Sequence, residues 1–273
     1  MPILTAREHD RNRALLEAVD SFAAGSIERT MHSLADMSWN LLEGEVDMAL
    51  AAPLLYSRRE ADLVLLQGAC VAAVGATGEL QLQFREGLRQ FRTVGFYGTP
   101  GMDTMLAEIV LREKYRMRPR LVAVQQPPAE ALAAVDALLY PIGCEHQPIE
   151  EYPMLDVVDE WFDMTQLPFV REVAVAWESR MDSDINDVFV QAGMETDLAV
   201  LAQLDEQMHG RGTESNTESL PAHYRYRFTE DAQDGLKQFF QHAYFHGLHR
   251  DIPNFTFWSP EDTTQENGEV PEL

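Results

Sequence analysis

Lysine is nearly missing from this chain of 273 residues. Lys114 and Lys237 are its two lysines, so almost all the positive charge is arginine. Against 45 aspartates and glutamates, the 21 basic residues leave a formal net charge of −24. A surface of that sign repels the phosphates of nucleic acid and the headgroups of anionic membranes, which excludes nucleic acid as a partner. It reads as a salt-adapted acidic surface before it reads as a device for attracting a cationic partner. Cysteine is equally scarce. Cys70 and Cys144 lie far apart with no C-x-x-C spacing, which excludes a disulfide framework and a cysteine zinc site and suits buried reduced thiols. No run of about 18 apolar residues occurs, so no membrane insertion is expected. The start, MPILTAREHDRNRALLEAVD, mixes acids with arginines and has no apolar signal core, which predicts a cytoplasmic address.

What is present suits a protein with a real core: 45% of the residues are hydrophobic, and the length is comfortable for two lobes. RNRALLEAVDSFAAG predicts a helix closed near Gly25, SIERTMHS a strand, and LADMSWNLLEGEVDMALAAP a helix, a stop at Gly44 and a second strand. This β-α-β order implies right-handed crossovers and a parallel sheet. Ala69 to Phe84 predicts two strands around a glycine turn. RTVGFYGTPGMDTMLAEIVLREKY predicts strand, loop and helix, RPRLVAV a strand, and PPAEALAAVDALL a helix with proline at its start.

The stretch Asp156 to Trp177 is the most informative. Val157, Val158, Trp161 and Met164 recur at helical spacing, Pro168 ends the helix, and PFVREVAVAW continues as a strand. Asp156, Glu160, Trp161, Thr165, Leu167, Pro168, Phe169 and Val170 fit a D-L-G-x-E-W…T-G-L-P-F-V block. Gln166, Arg171 and Glu172 do not, and the last two put charge on a strand that is otherwise apolar. On this block, on LLEGEVDMALAAP and on a closing G-L-x-x-F at Gly235, Leu236 and Phe239, the chain resembles the futalosine-pathway menaquinone-biosynthesis family, to which chorismate dehydratase belongs.

The resemblance implies an α/β fold, bilobal and periplasmic-binding-protein-like (type II), with two parallel-rich sheets flanked by helices and a ligand cleft between the lobes. Lobe 1 is expected over 1–86 plus 176–258, lobe 2 over 87–175, and an acidic tail, expected to be disordered or loosely draped, over 259–273. A monomer or homodimer acting on a small-molecule ligand or substrate is expected. The reaction implied is elimination of water from chorismate to 3-enolpyruvylbenzoate, without metal or organic cofactor. Such chemistry needs placed hydrogen-bond donors for two carboxylates and a leaving hydroxyl.

Of the family's polar motif residues Asn12 carries over and is the expected catalytic residue. The expected substrate-binding residues are Thr99, Gly101, Asp103, Thr104, Gln81 or Gln83, and an arginine such as Arg11. The loop Gly98-Thr99-Pro100-Gly101-Met102-Asp103-Thr104 opens a helix, where backbone N–H groups and the helix dipole favour an anion. The same loop also fits a plain N-cap, with Asp103 or Thr104 bonding the helix's own amides. Where the family carries hydroxyls, this chain has Pro100-Gly101-Met102-Asp103, and an ionised Asp103 repels a carboxylate by roughly 1–4 kcal/mol. Leu82 stands at a family serine position, and Cys144 at a family aspartate. Asp47 fits a strand-end cap better than a catalyst.

Two further groupings stand out. His242, His246 and His249 fall at i, i+4 and i+7, a spacing that suits a metal. No neighbouring cysteine or H-E-x-x-H accompanies them, and the helix is rich in aromatics, so structural or solvent-facing histidines are expected and no metal site. Glu8-His9-Asp10 offers acid and base types, but adjacent side chains diverge. Two functions follow: a dehydratase-like lyase, or a non-catalytic solute-binding or sensor paralogue of the same fold, which the altered loop and the acidic surface favour.

Overall fold

The computed structural model describes residues 1–59, 61–87, 90–208 and 223–260. The polar loop Gly210–Ser219 and all of the acidic tail after Pro260 lie outside the described residues. In chain order the elements are β1 (Ile3–Ala6), α1 (Asp10–Ala23), β2 (Glu28–Met31), α2 (Leu34–Leu42), β3 (Met48–Ala51), α3 (Pro53–Tyr56), β4 (Leu63–Ala73), β5 (Leu80–Phe84) and β6 (Thr93–Phe96). There follow α4 (Met102–Glu113), β7 (Arg120–Ala123), α5 (Pro128–Ala134), β8 (Ala137–Pro141), β9 (Met154–Asp156), α6 (Val157–Thr165), β10 (Phe169–Trp177), α7 (Ser183–Met208), β11 (Tyr224–Arg227) and α8 (Glu230–Phe245). None of the described helices is long and apolar enough to cross a membrane.

The chain divides into two units, each with one mixed sheet. The first holds Met1–Ala72, Val170–Glu230 and the described residues from Pro253. Its sheet has the order β11-β4-β10-β3-β1-β2, with β1 parallel to β2 and β3, and β10 antiparallel to β3. β3 is buried at all four positions and β10, Arg171 and Glu172 included, at all but Trp177, as in strands covered on both faces. α1 buries Leu15, Leu16, Val19 and Ala23, packs against α7, and ends where Ala24 turns left-handed at φ 48°. At Gly193 α7 meets β4 backbone to backbone. A Cβ on Gly193 would meet the Gly68 carbonyl oxygen at 2.3 Å. Asp197 on the same helix accepts a hydrogen bond from the Tyr226 N–H at 2.8 Å.

The second unit holds Ala73–Phe169 and Asp231–Ile252. Its sheet runs β7-β6-β8-β5-β9, with β6 parallel to β7 and β8, and β5 antiparallel to both β8 and β9. Helix, corner and strand are all present over Asp156–Trp177. The Asp156 carboxylate starts α6 by accepting from the N–H groups of Val158 and Asp159. Gln166 ends it in the left-handed region at φ 58°, ahead of Pro168. Trp161, Phe169 and Phe239 then meet edge to face, with centroids 5.5 to 6.4 Å apart. The G-L-x-x-F pattern has a physical reason here. Gly235 lets α8 approach so closely that a Cβ would sit 2.2 Å from the Pro168 carbonyl oxygen, while Leu236 and Phe239 are buried.

Three placements correct the sequence-based division. β5, expected with residues 1–86, pairs with β8 and β9 in the second sheet. β10, most of which was expected in the second lobe, pairs with β3 in the first, Val173 opposite Ala51. α8, expected with residues 176–258 in the first lobe, packs in the second unit on the Leu167–Pro168 corner. Both cysteines are free thiols; burial and then the charge of Asp197 push the Cys70 thiol well above its ordinary range.

Candidate functional site

In open α/β sheets ligands gather outside the carboxyl ends of strands where the winding reverses direction. In the first unit that strand is β1, with β2 on one side and β3 on the other, and its end leads through Arg7–His9 into α1. His9 is the N-cap, its Nδ1 accepting from the Arg11 N–H at 3.2 Å. The first turn of α1 turns Arg11 and Asn12 inward, to 5% and 0% exposure. There both meet Glu172 of β10, itself 3% exposed. Arg11 Nη2 donates to Oε1 at 2.9 Å and Asn12 Nδ2 to Oε2 at 2.7 Å. Asn12 Nδ2 also reaches the Arg7 carbonyl at 3.3 Å, and the Tyr226 hydroxyl donates to the Arg11 carbonyl at 2.8 Å. Asn12 Oδ1 is buried with no hydrogen-bond partner.

The expected catalytic Asn12 and the expected carboxylate fork Arg11 are thus brought together, around a carboxylate that belongs to the chain. Sequence reasoning noted Glu172 as a charge out of place on an apolar strand and missed its role. Two adjacent charges in an otherwise apolar strand, Arg171 and Glu172, were the available signal. Asp47 is structural: its carboxylate accepts from the Ile3 N–H at 2.7 Å and from Arg180 at 3.0 Å.

In the second unit the corresponding strand is β6, between β7 and β8. The chain leaves it through exposed Gly98, Thr99 and Pro100, with Gly98 in the left-handed region at φ 88°. Gly101 is the N-cap of α4, and Asp103 lies in the first turn. Thr104, 8% exposed, folds its hydroxyl back on Gly101, accepting from the N–H at 3.0 Å and donating to the carbonyl at 2.8 Å. Thr104 therefore caps its own helix.

The two glutamines of β5 differ. Gln81 is partly exposed. Gln83 is fully buried: its Oε1 accepts from the Ile149 N–H and the Tyr140 hydroxyl, and its Nε2 donates to the Ile149 carbonyl at 2.7 Å. That carboxamide pins the loop after β8. Leu82, on the opposite face of the strand, is 2% exposed in the core. Beside these, the Tyr97 ring is tilted against those of Tyr140 and His146, with centroids at 5.3 and 4.6 Å, and its hydroxyl donates to the Gln126 carbonyl. Burial, then the neighbouring Cys144, pushes its phenol up to about 12.

A third grouping joins α4 to α8. Glu113, His242 and His246 bring one ligand atom each within 4.8 Å of one another. His246 Nε2 lies 2.7 Å from Glu113 Oε1, and the two imidazoles lie nearly parallel, 12° apart, with centroids at 6.3 Å. Trp161 sets its ring edge-on to His242 at 6.1 Å, and Arg112 donates to the His246 carbonyl at 2.9 Å. Burial holds the His242 ring below the usual histidine range, with Glu113 opposing the fall and His246 adding to it. The His-x3-His spacing was visible in the sequence; Glu113, more than a hundred residues away, was not. His249 stands apart from this group, its Nδ1 2.7 Å from the Asp251 carbonyl oxygen.

Comparison with known proteins bears on the whole chain. Residues 14–245 match a protein-family model described as "Menaquinone biosynthesis". No curated protein sequence matches. Among solved structures, the periplasmic aliphatic sulphonate binding protein SsuA of Escherichia coli superposes with TM-score 0.59 at 14% identity, covering 100% of this chain and 95% of that one. An ABC transporter protein of Parabacteroides distasonis gives 0.58 at 14% identity, covering 95% and 98%. Protein AF1704 of Archaeoglobus fulgidus gives 0.53 at 15%, covering 90% and 98%. At these identities the likeness establishes the fold, which is of the type II periplasmic-binding-protein-like class.

Proposed function

The chain belongs to the menaquinone biosynthesis family, and from that footing we propose that it takes a small carboxylated molecule of that pathway and eliminates water from it. Chorismate is the substrate that the family resemblance implies. The observation that carries this reading is the extent of the family match, which runs through both units from residue 14 to 245. Elimination breaks a ring C–H bond and a C–O bond, forms a ring double bond between the two carbons, and releases the proton and the hydroxide together as one water. A protein assists by holding the carboxylates and stabilising the charge that develops on the departing oxygen. In this reading Thr99, exposed at the β6–α4 turn, and Gln81, partly exposed on β5, supply donors to the ligand, and the start of α4 supplies its dipole. Arg11 and Asn12 position the β1–α1 turn through Glu172.

A specific observation favours the second reading, binding without catalysis. The fork and amide expected to meet a substrate carboxylate are buried against Glu172. The sulphonate-binding protein of Escherichia coli gives that reading a parallel among proteins of the same fold. One experiment separates the two. Purified protein is incubated with chorismate across a range of salt, and the aromatic product is followed by its absorbance. A thermal-shift titration with chorismate runs alongside. Turnover that falls in Thr99→Val establishes the lyase. Saturable stabilisation without product supports the binding protein. Neither turnover nor stabilisation overturns both.

A further inference from the structure

We infer that Glu113, His242 and His246 form a binding site for a divalent transition-metal ion of the zinc class, bracing the end of α4 against α8. The donor set is two imidazoles and one carboxylate, the mixture that zinc accepts in sites with three protein ligands. His242 lies in the last turn of α8 and His246 just past its end, its N–H still donating to the His242 carbonyl at 3.0 Å, so the two rings share one face. Glu113 ends α4 and reaches the same point. All three are partly buried, with the His246 side chain 13% and the Glu113 side chain 31% exposed. The site is therefore sheltered and still accessible.

The geometry is close to what an ion needs. Zinc bonds of about 2.0–2.2 Å in a tetrahedron put ligand atoms roughly 3.4 Å apart. The contact between His246 Nε2 and Glu113 Oε1, at 2.7 Å, is a hydrogen bond through one proton. An entering ion replaces that proton and opens the pair by roughly 0.7 Å, while the remaining ligand atom, within 4.8 Å, closes by less than about 1.5 Å. Shifts of that size are side-chain rotations and leave the helices in place. The surroundings supply an outer layer of support. Trp161 meets the His242 ring edge-on, and the Arg112 guanidinium holds the carbonyl of His246.

An approach is present as well. His242 also lines an open groove of about 370 Å³ with Leu167, Lys237, Gln241 and Phe245, so its ring is reached from solvent. The net charge of −24 raises the local concentration of any divalent cation. That charge binds cations diffusely, so the test must distinguish a site from a cloud.

The experiment uses the full chain, stripped with a chelator and held at high salt to screen diffuse binding. Zinc is titrated calorimetrically, and cobalt(II) is added in parallel to read coordination from its visible absorption. One ion per chain is expected, with visible bands of low-coordinate cobalt. Glu113→Gln, His242→Gln and His246→Gln should each weaken zinc by more than the 10- to 100-fold that loss of an outer-shell partner costs. His249→Gln, on the segment just past α8 and outside the cluster, should bind as the parent does. On the unsubstituted protein, one equivalent of zinc should shift the imidazole resonances of His242 and His246 and leave those of His249 in place. This readout needs no variant to fold. Binding unchanged in all three variants, several equal weak sites, or an unshifted His242 and His246 would overturn the assignment.

Discussion

Replacing Glu172 with glutamine tests whether the buried cluster at the start of α1 is held by charge. In the folded protein both oxygens of Glu172 accept, from Arg11 at 2.9 Å and Asn12 at 2.7 Å, and all three side chains are sequestered. A glutamine of the same shape keeps one acceptor and turns the other into an N–H₂ that faces a donor. It also removes the carboxylate charge that the Arg11 guanidinium meets at 2.9 Å. Breaking a buried ion pair from one side costs about 3–5 kcal/mol. At a urea m-value of about 3 kcal/mol per molar that is a fall in midpoint of about 1–1.7 M, a large part of the stability of an ordinary domain. Urea unfolding followed by circular dichroism measures it directly. The double variant Arg11→Met with Glu172→Leu removes both charges and should lie at least about 2 kcal/mol above Glu172→Gln, because a matched apolar pair is often neutral. The reasoning is refuted if Glu172→Gln stays within about 0.5 kcal/mol of the parent. It is refuted equally if the double variant falls by the sum of its two single substitutions.

Two other outcomes follow from the second unit. Gly235→Ala drives a Cβ to 2.2 Å from the Pro168 carbonyl oxygen, a contact backbone atoms cannot relieve without moving α8, so a loss of more than about 2 kcal/mol is expected in urea or thermal unfolding. Asp136 gives a pH-dependent case. Burial alone would raise its pKa, but the N–H groups of Arg92 and Thr93, the Thr93 hydroxyl and the charge of Arg85 outweigh burial and hold it below the ordinary range. A carboxyl depressed in the folded state contributes stability above its unfolded pKa, near 3.9, and loses it as pH falls through the folded value. Asp136→Asn should therefore cost about 1–2 kcal/mol at pH 7, with the gap to the parent closing below about pH 4; a gap constant from pH 7 to 3 would contradict the electrostatic account.

The local elements were legible because their signals are local. The carboxylate at Asp156, the apolar spacing of Val157, Val158 and Trp161, and Pro168 define a helix and its end within a dozen residues. What could not be read was set by partners far away in the chain. Gln83 alternates with leucines as a half-exposed strand residue does, yet the loop carrying Ile149 closes over it and takes its carboxamide. Arg11 and Asn12 have the chemistry of ligand recognition, and only the arrival of Glu172 on β10 turns them inward. The membership of β5 and β10 in their sheets was hidden for the same reason, since pairing partners carry no mark in the strand itself. His242 and His246, at the end of α8 and just past it, showed their spacing plainly and gave no hint of Glu113.

The contact of α7 with β4 sets how this helix can change length. Gly193 meets the strand backbone at a point where no Cβ fits. One residue inserted before it rotates the rest of the helix by about 100° and brings Ala192 to that point. Insertions in the first two turns of α7 are then punished like a core substitution. Beyond Asp197, which ties the helix to β11 through the Tyr226 N–H, added residues leave that phase untouched, so an insertion there spares the Gly193 contact.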